Sequence, residues 1–356
     1  MRLRTSRPDR PGCARVRHGR GFRYLDQEGR PVRDAAEVAR LRSLVIPPAW
    51  TDVWICPWPN GHIQAMGTDA AGRRQYLYHE RFRARQEESK HEHVLDVATK
   101  LPRLRQGVTA DLGGRGLSRD RVLACTARLL DLGFFRVGGV AYRRDHQSYG
   151  LTTLLREHVA CGRGEVRFSY PGKSGQSQLR ALSDPAAYGV VRALLRRRGA
   201  GGQLFAYWQG RSWHEVRAGD VNDYLRDRAG TDITAKDFRT WHATVLAAVA
   251  LAVSAEVAEA GPTRRARAVS RAVREVSGYL GNTPAVCRAS YINPRLFELF
   301  EDGITIGPAL GRLGSGVDRG CPATHGEVEA AVLRLLRRGG RSGGAGGAGQ
   351  SLSGAV

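Results

Sequence analysis

The spacing of apolar residues changes character near residue 85, and that change limits the fold more than any other feature. Before it, short alternating stretches are broken by turn residues. "GFRYLDQEGRPV" (21–32) reads as two short strands joined by a Gln-Glu-Gly turn. "TDVWICPWPNGHIQAMG" (51–67) reads as strand, Pro-Asn-Gly turn and strand. Between them Ala35, Val38, Ala39 and Leu41 have helical spacing, and "IPPAW" (46–50) stops that helix. After residue 85 helical periodicity dominates. "RQEESKHEH" (85–93) reads as a hinge or the start of a connecting helix.

The helical part has readable punctuation. Ser118 begins a helix carrying Val122, Leu123, Leu129 and Leu130, and Gly133 closes it. Thr240–Ala260 reads as a buried helix. Pro262 opens the next, with Ala266, Val269, Val273 and Val276 as its apolar face. Thr324-His-Gly-Glu327 has the spacing of a capping box for a last short helix. One stretch breaks the helical pattern: in "GEVRFSYPGKSGQSQLRAL" (164–182), Val166, Phe168 and Tyr170 alternate, then a Pro-Gly turn leads to a second strand.

The fold class expected is therefore α+β. A small, mainly antiparallel β domain precedes a larger, mainly α domain that carries a small β-hairpin. The expected divisions are a basic arm at 1–20, a β-rich domain at 21–88 and a larger, mainly α domain at 89–312. A C-terminal helix region at 313–338 and a disordered Gly/Ser-rich tail at 339–356 follow. The length of 356 residues suits two domains, since one core rarely serves beyond about 250–300 residues.

Charge narrows the partner. Lys and Arg number 56 against 34 Asp and Glu, a net +22, which points to a polyanion. The N-terminal arm carries eight arginines between positions 2 and 23 and is expected to stay loosely ordered until it meets phosphate. The basic residues are almost all arginine, a skew that a GC-rich genome produces. Only Lys90, Lys100, Lys173 and Lys236 are lysines. A lysine kept in such a chain matters, because its pKa can be lowered enough to release a proton and a guanidinium's cannot.

Several function classes are set aside. The six cysteines form no C-x-x-C pair, so no zinc site or redox motif is readable and a reducing cytoplasm is expected. The most apolar run, Ala243 to Ala255, is too short to span a bilayer. "GKSG" (172–175) invites a phosphate-binding loop, but that loop needs glycine at position 167, which is Arg. What remains is a lysine at a hairpin tip.

Four further places hold chemistry-bearing residues. "FFRVGG" (134–139) sets Arg136 directly after a helix, beside glycines that let backbone approach a ligand. "KDFRTWHAT" (236–244) sets Lys236 and Arg239 one helical turn apart, facing the same way. "GRRQYLYH" (72–79) interleaves Arg73 and Arg74 with Gln75, Tyr76 and Tyr78: arginine for phosphate, glutamine for a base edge, tyrosine for sugar or base. A half-buried aromatic strand is the plainer reading of that stretch. "LGNTPAVCRASYINP" (280–294) crowds Asn282, Thr283, Arg288, Ser290 and Tyr291. Lys173 completes the set.

In this order and these contexts, the motifs resemble the type IB DNA topoisomerases, specifically the compact bacterial and poxvirus-like branch. The resemblance runs over about residues 20–305. It rests on "RSLVIPPAWTDVWICPWPNGHIQAMG", "GRRQYLYH", "FFRVGG", "SYGLTTLLREHV", "GKSG", "KDFRTWHAT" and "LGNTPAVCRASYINP".

The resemblance implies a division of labour. Tyr291 matches the tyrosine that attacks a DNA phosphodiester, forming a 3′-phosphotyrosyl link and releasing a 5′-hydroxyl. Arg136 and Arg239 match the arginines that hold the non-bridging oxygens, and Lys173 the lysine that protonates the leaving 5′-oxygen. Asn282 stands where many members have histidine, nine residues before the tyrosine. An amide can donate a hydrogen bond there but cannot carry charge or move a proton. Gln75, Tyr76, Tyr78 and Tyr142 are placed in the major groove, and Lys236 on a phosphate. The implied activity is relaxation of supercoils of either sign, without ATP, metal or other cofactor. The implied actor is a monomeric clamp on double-stranded DNA, cytoplasmic and nucleoid-associated, with no membrane partner. The alternatives are a tyrosine recombinase and a non-enzymatic DNA-binding protein. Recombinases usually show His-x-x-Arg where this chain has Lys236-Asp-Phe-Arg239, and a helical N-terminal domain where this one reads as strands.

Overall fold

The computed structural model describes residues 2–199, 201–255, 261–314 and 322–338. It divides into two compact units, Met1–His91 and Glu92–Val356. The Gly/Ser-rich tail and Cys321 lie outside the described residues.

The first unit is built on a five-stranded antiparallel sheet in the order β2-β1-β3-β4-β5. Its strands are β1 (Cys13–His18), β2 (Gly21–Leu25), β3 (Thr51–Ile55), β4 (Ile63–Thr68) and β5 (Arg74–Tyr78). Helix α1 (Ala35–Ser43) lies between β2 and β3 in sequence, and the Asp34 carboxylate caps it by accepting from Glu37 N at 2.9 Å. Cys13, Leu41, Ile46, Val53, Ile55 and Ala65 form its core.

Strand β1 corrects the reading of residues 1–20 as a loosely ordered arm. It is an interior strand, paired with both β2 and β3. The reason lies at Arg15, which is buried and faces inward from β1. Its guanidinium donates to the carbonyls of Ile46 (2.6 Å), Pro47 (2.9 Å) and Trp50 (2.9 Å) and lies over the Phe22 ring. Those carbonyls belong to the "IPPAW" loop, which has no ladder to satisfy them, so a forked side-chain donor closes the account. The expected second strand after Gln-Glu-Gly shrinks to one bridge, Leu25 to Pro31.

Helix α2 (Glu80–Leu112) runs straight through "RQEESKHEH", so that stretch is helix rather than hinge. It is followed by α3 (Arg119–Gly133) and α4 (Val140–His146). Next comes a three-stranded antiparallel sheet, β6 (Val159–Gly162), β7 (Glu165–Pro171) and β8 (Ser177–Leu182). Helix α5 (Pro185–Arg196), the hairpin β9 (Ala206–Gln209) and β10 (Ser212–Glu215), and α6 (Ala218–Ala229) lead to α7 (Ala235–Val253). The chain then forms α8 (Pro262–Leu280), α9 (Pro284–Ser290), α10 (Arg295–Glu301) and α11 (Glu327–Arg338). In the middle of the second unit α3 is buried along residues 122–133, and α7 packs on it. Val166, Phe168 and Tyr170 of β7 are all buried, as their alternation requires. Each contributes about 1.5–3 kcal/mol by burial, which anchors the hairpin to the core.

Three helix details differ from expectation. The left-handed residue that ends α3 is Phe134 (φ 55°), not Gly133. A bulky residue there costs about 1–3 kcal/mol and has to be held from outside. On α8, Ala266 is exposed while Ala272 is buried, so the apolar face is Val269, Ala272, Val273 and Val276. Helix α11 begins at Glu327, which leaves Thr324 two residues too early to cap it. Among the described residues no helix is long and apolar enough to cross a membrane.

Candidate active site

Tyr291 sits at the C-terminal end of α9. That helix is short because Pro284 starts it, with Thr283 Oγ1 accepting from Val286 N, and Tyr291 leaves helical geometry at φ −128°. Its backbone is fixed at both ends. Its N–H donates to Cys287 O at 3.0 Å, and its carbonyl accepts from Thr244 Oγ1 at 3.3 Å. Thr244 Oγ1 also accepts from Asn293 N at 3.1 Å. Thr244 is on α7, which also carries Arg239. The nucleophile candidate is therefore bolted to the helix bearing one of its cations. The Arg239 guanidinium lies 5.4 Å from the centroid of the half-buried Tyr291 ring.

Arg239 is 4% exposed and donates to Phe134 O and to Leu280 O (2.8 Å). Its Nε is buried with no partner. Burial first, and then the charge of Arg136, push its pKa down to about 10, which leaves it charged at neutral pH. Arg136 donates to Gly281 O at 2.9 Å and to Asn282 Oδ1. The two arginines thus hold three consecutive residues, 280–282, at the end of α8. Gly281 is left-handed (φ 59°), and a Cβ there would come within 3.1 Å of Gln178 Oε1. No other residue fits as well.

The contact with Arg136 settles which way Asn282 points. A guanidinium only donates, so the amide oxygen faces it and Nδ2 is turned away. Nδ2 is buried and has no hydrogen-bond partner in the protein. Asn282 thus presents an unused donor toward Tyr291. Burial would raise the Tyr291 pKa, but the charge of Arg239, the N–H groups of Arg239 and Asn282, and the charge of Arg136 overcome it. The net shift is below the usual tyrosine value. Since neither Nδ2 nor Arg239 Nε is in hydrogen-bonding geometry, their pull acts through space.

Lys173 is exposed, in the short turn Lys173–Gly175 between β7 and β8. Gly172 N to Gln176 O (2.8 Å) closes that turn. Lys173 and Arg136 line one cleft of about 330 Å³ with Gly138, Gly139, Ser148 and Tyr149. Gly138 of "FFRVGG" has a packing role besides lining the cleft. Gly138 abuts Gly150: a Cβ on Gly138 would lie 2.9 Å from the Gly150 carbonyl carbon, and one on Gly150 would lie 2.5 Å from Gly138 N. That close approach lets Leu151 N reach Arg136 O at 2.8 Å, which fixes the arginine's own backbone.

The residues matched to DNA contact are more dispersed. Lys236 is exposed while Arg239 is buried, so the two do not share a face. Three residues advance a helix by about 300°, and the 60° shortfall here spans the edge of the core. On the edge strand β5, Arg74, Tyr76 and Tyr78 are exposed, and Tyr76 stacks on Tyr78 and Tyr78 on Phe82. Gln75 points to the other face of the strand and donates to Asp69 (2.9 Å), which also holds Arg73. The Tyr142 side chain lies outside the described residues.

A polar cluster that sequence reading missed lies in the core of the second unit. Asp131 on α3, His242 on α7 and His325 offer ligand atoms within 4.8 Å of one another. Arg105 on α2 already donates to both Asp131 oxygens (2.8 and 3.0 Å) and to Glu329 on α11 (2.6 Å). A cation in that place makes this an ion-pair network rather than a metal site. Burial pushes His325 down to about 4. Burial would raise Asp131 and Glu329, but Arg105 holds both below their ordinary values. His91 in the first unit is likewise held at about 4, by burial and then Lys90.

The sign of the pH response follows. A histidine depressed to about 4 stays neutral in the folded chain, while its unfolded form takes a proton below about 6.5. Stability is lost as pH falls through that window, and the depressed carboxylates add to the loss below it. From His325 alone the loss is on the order of 2 kcal/mol by pH 5. Thermal unfolding between pH 7 and pH 5 is expected to show a falling midpoint. A flat or rising midpoint would contradict the buried neutral histidines.

A half-buried tyrosine facing fixed arginines, on a helical domain with a lysine-tipped hairpin, defines a class, and sequence comparison agrees. Residues 79–301 match the eukaryotic DNA topoisomerase I catalytic core. Residues 21–69 match the bacterial DNA topoisomerase IB N-terminal domain. The chain belongs to the type IB DNA topoisomerase family and is an isomerase acting on DNA. It is 28% identical over 299 residues to the DNA topoisomerase 1B of Acanthamoeba polyphaga mimivirus, covering 82% of this chain and 88% of that protein. The expected family and the α+β fold are borne out, and the recombinase and non-enzymatic readings are set aside.

Proposed function

We propose that the protein relaxes positive and negative supercoils by cutting one strand through Tyr291, letting it rotate and resealing it. The observation that carries this reading is the Arg239 guanidinium over the Tyr291 ring. The Tyr291 phenol passes its proton to water, its oxygen attacks the phosphorus, the bond to the 5′-oxygen breaks, and a 3′-phosphotyrosyl link forms. Lys173 gives its proton to the departing 5′-oxygen. The 5′-hydroxyl later displaces the tyrosine and restores the strand. The phosphodiester's energy stays in the covalent link, so neither direction needs ATP.

Electrostatics supplies the rate. The pentacoordinate state gathers charge on its equatorial oxygens, and fixed cations there stabilise it without reorganising. Arg136 and Arg239 take that role, which supports independence from metal. The unpartnered Arg239 Nε and Asn282 Nδ2 are the donors available to an incoming phosphate. Arg73, Arg74, Gln75, Tyr76, Tyr78, Tyr142 and Lys236 contact the duplex, which a monomer clamps, and the protein works on the nucleoid. Gln75 must leave Asp69 to read a base.

The test is supercoiled plasmid with the protein in EDTA and no ATP. A ladder of relaxed topoisomers is expected, and unchanged supercoiling at protein excess would sink the proposal.

A further inference from the structure

One turn of α7 beyond Arg239 lies His242, 3% exposed and contacting neither cleft nor solvent. Its Nε2 stands 3.2 Å from Asp131 Oδ1, off the line of a straight hydrogen bond. Its ring meets the Phe134 ring edge-on at 5.5 Å. Phe134 is the left-handed residue that ends α3, and its carbonyl accepts from Arg239. Arg136 follows two residues later. So α7 grips the end of α3 twice, through Arg239 on the carbonyl and through His242 on the ring and on Asp131.

The grip is closed from behind by the C-terminal segment. His325 stacks on His242 at 5.4 Å, nearly parallel. On α11, Glu329 accepts from Trp241 Nε1 at 2.8 Å and from Arg105, the residue that holds Asp131. A left-handed phenylalanine persists only where its surroundings over-determine it. Here they do, and the conformation they enforce sets where two guanidiniums emerge.

We propose that His242 is a positioning residue for phosphoryl transfer: wedged between Asp131, Phe134 and His325, it fixes the turn that aims Arg239 and Arg136 at the scissile phosphate. This rests on the reading of those arginines as phosphate ligands. His242 touches no reacting atom. Its effect is geometric, and misplacement of a reacting assembly by about 1 Å costs on the order of 100-fold in rate.

The experiment measures single-turnover cleavage of a nicked duplex, duplex affinity and thermal midpoint in the full chain. His242→Ala is expected to cleave about 30- to 100-fold more slowly with unchanged affinity. His242→Gln, whose amide can still reach Asp131, is expected to recover most of the rate. His242→Ala combined with Arg239→Ala should be no slower than Arg239→Ala alone, because the histidine acts through the arginine. Cleavage at the wild-type rate by His242→Ala overturns the proposal. So does a rate loss matched by lost affinity, or full additivity in the double variant. If His242→Ala does not fold, Phe134→Gly keeps the left-handed turn and removes the ring. It is then expected to show the same slowing, and a wild-type rate overturns the proposal. Arg239→Ala cleaving like the wild type would instead sink the phosphate-ligand reading itself.

Discussion

Tyr291→Phe is expected to bind duplex DNA as the wild type does and to form no covalent adduct at all. The ring stays, so the packing against Arg239 and the backbone bonds to Thr244 and Cys287 stay with it. Only the attacking oxygen is lost. Two neighbouring hydroxyls are already engaged: Thr283 caps α9, and Thr244 on α7 meets the carbonyls of Thr240 and Tyr291 and accepts from Asn293 N. Denaturing electrophoresis of protein with labelled DNA reads the result directly. An adduct formed by the phenylalanine variant would refute Tyr291 as nucleophile.

Lys173→Ala is expected to slow cleavage by about 100- to 10,000-fold, the range of a lost general acid. The variant should fold normally, because Lys173 is exposed and its turn is closed by backbone bonds. The defect should depend on the leaving group. Replacing the 5′-bridging oxygen with sulfur makes departure easy without a proton, so the variant should regain most of its rate on that substrate. A defect that persists with sulfur would mean the lysine binds phosphate rather than donates a proton. The distinction matters because Lys173 shares its cleft with Arg136, a cation suited to binding alone.

The two-part fold was legible because period-2 and helical spacing differ and turn residues mark the change. The Lys173 hairpin was legible for the same reason, since Val166, Phe168 and Tyr170 alternate and are buried. Strand β1 was not, because its inward residues are Cys13 and Arg15. A buried arginine satisfying loop carbonyls looks in sequence like one more basic residue. The end of α3 was misplaced by one residue for a similar reason. Glycine is the usual left-handed stop, and tertiary contacts forced Phe134 into that role.

The candidate site was legible as a set of residue types but not as an arrangement. Sequence named Asn282 without saying which atom it would present. Arg136 takes the oxygen and leaves the donor, so the amide keeps the one property of a histidine that an uncharged group can keep. Nothing in local sequence pointed to Thr244 or His242, whose roles depend on which helix lies against which. Gln75 and Tyr76 looked like one reading head, yet strand alternation puts them on opposite faces.

Arg15 and Arg197 share a habit with a wider consequence. Each is buried and spends its guanidinium on several carbonyl oxygens at once, Arg197 on those of Leu194, Gln203 and Leu204. Lysine has the charge but no planar fork to spread over such partners. A codon drift toward arginine is reversible wherever the side chain meets only water. At these two places a return to lysine would leave loop carbonyls unsatisfied, because the loops have shapes that a planar fork of donors fits.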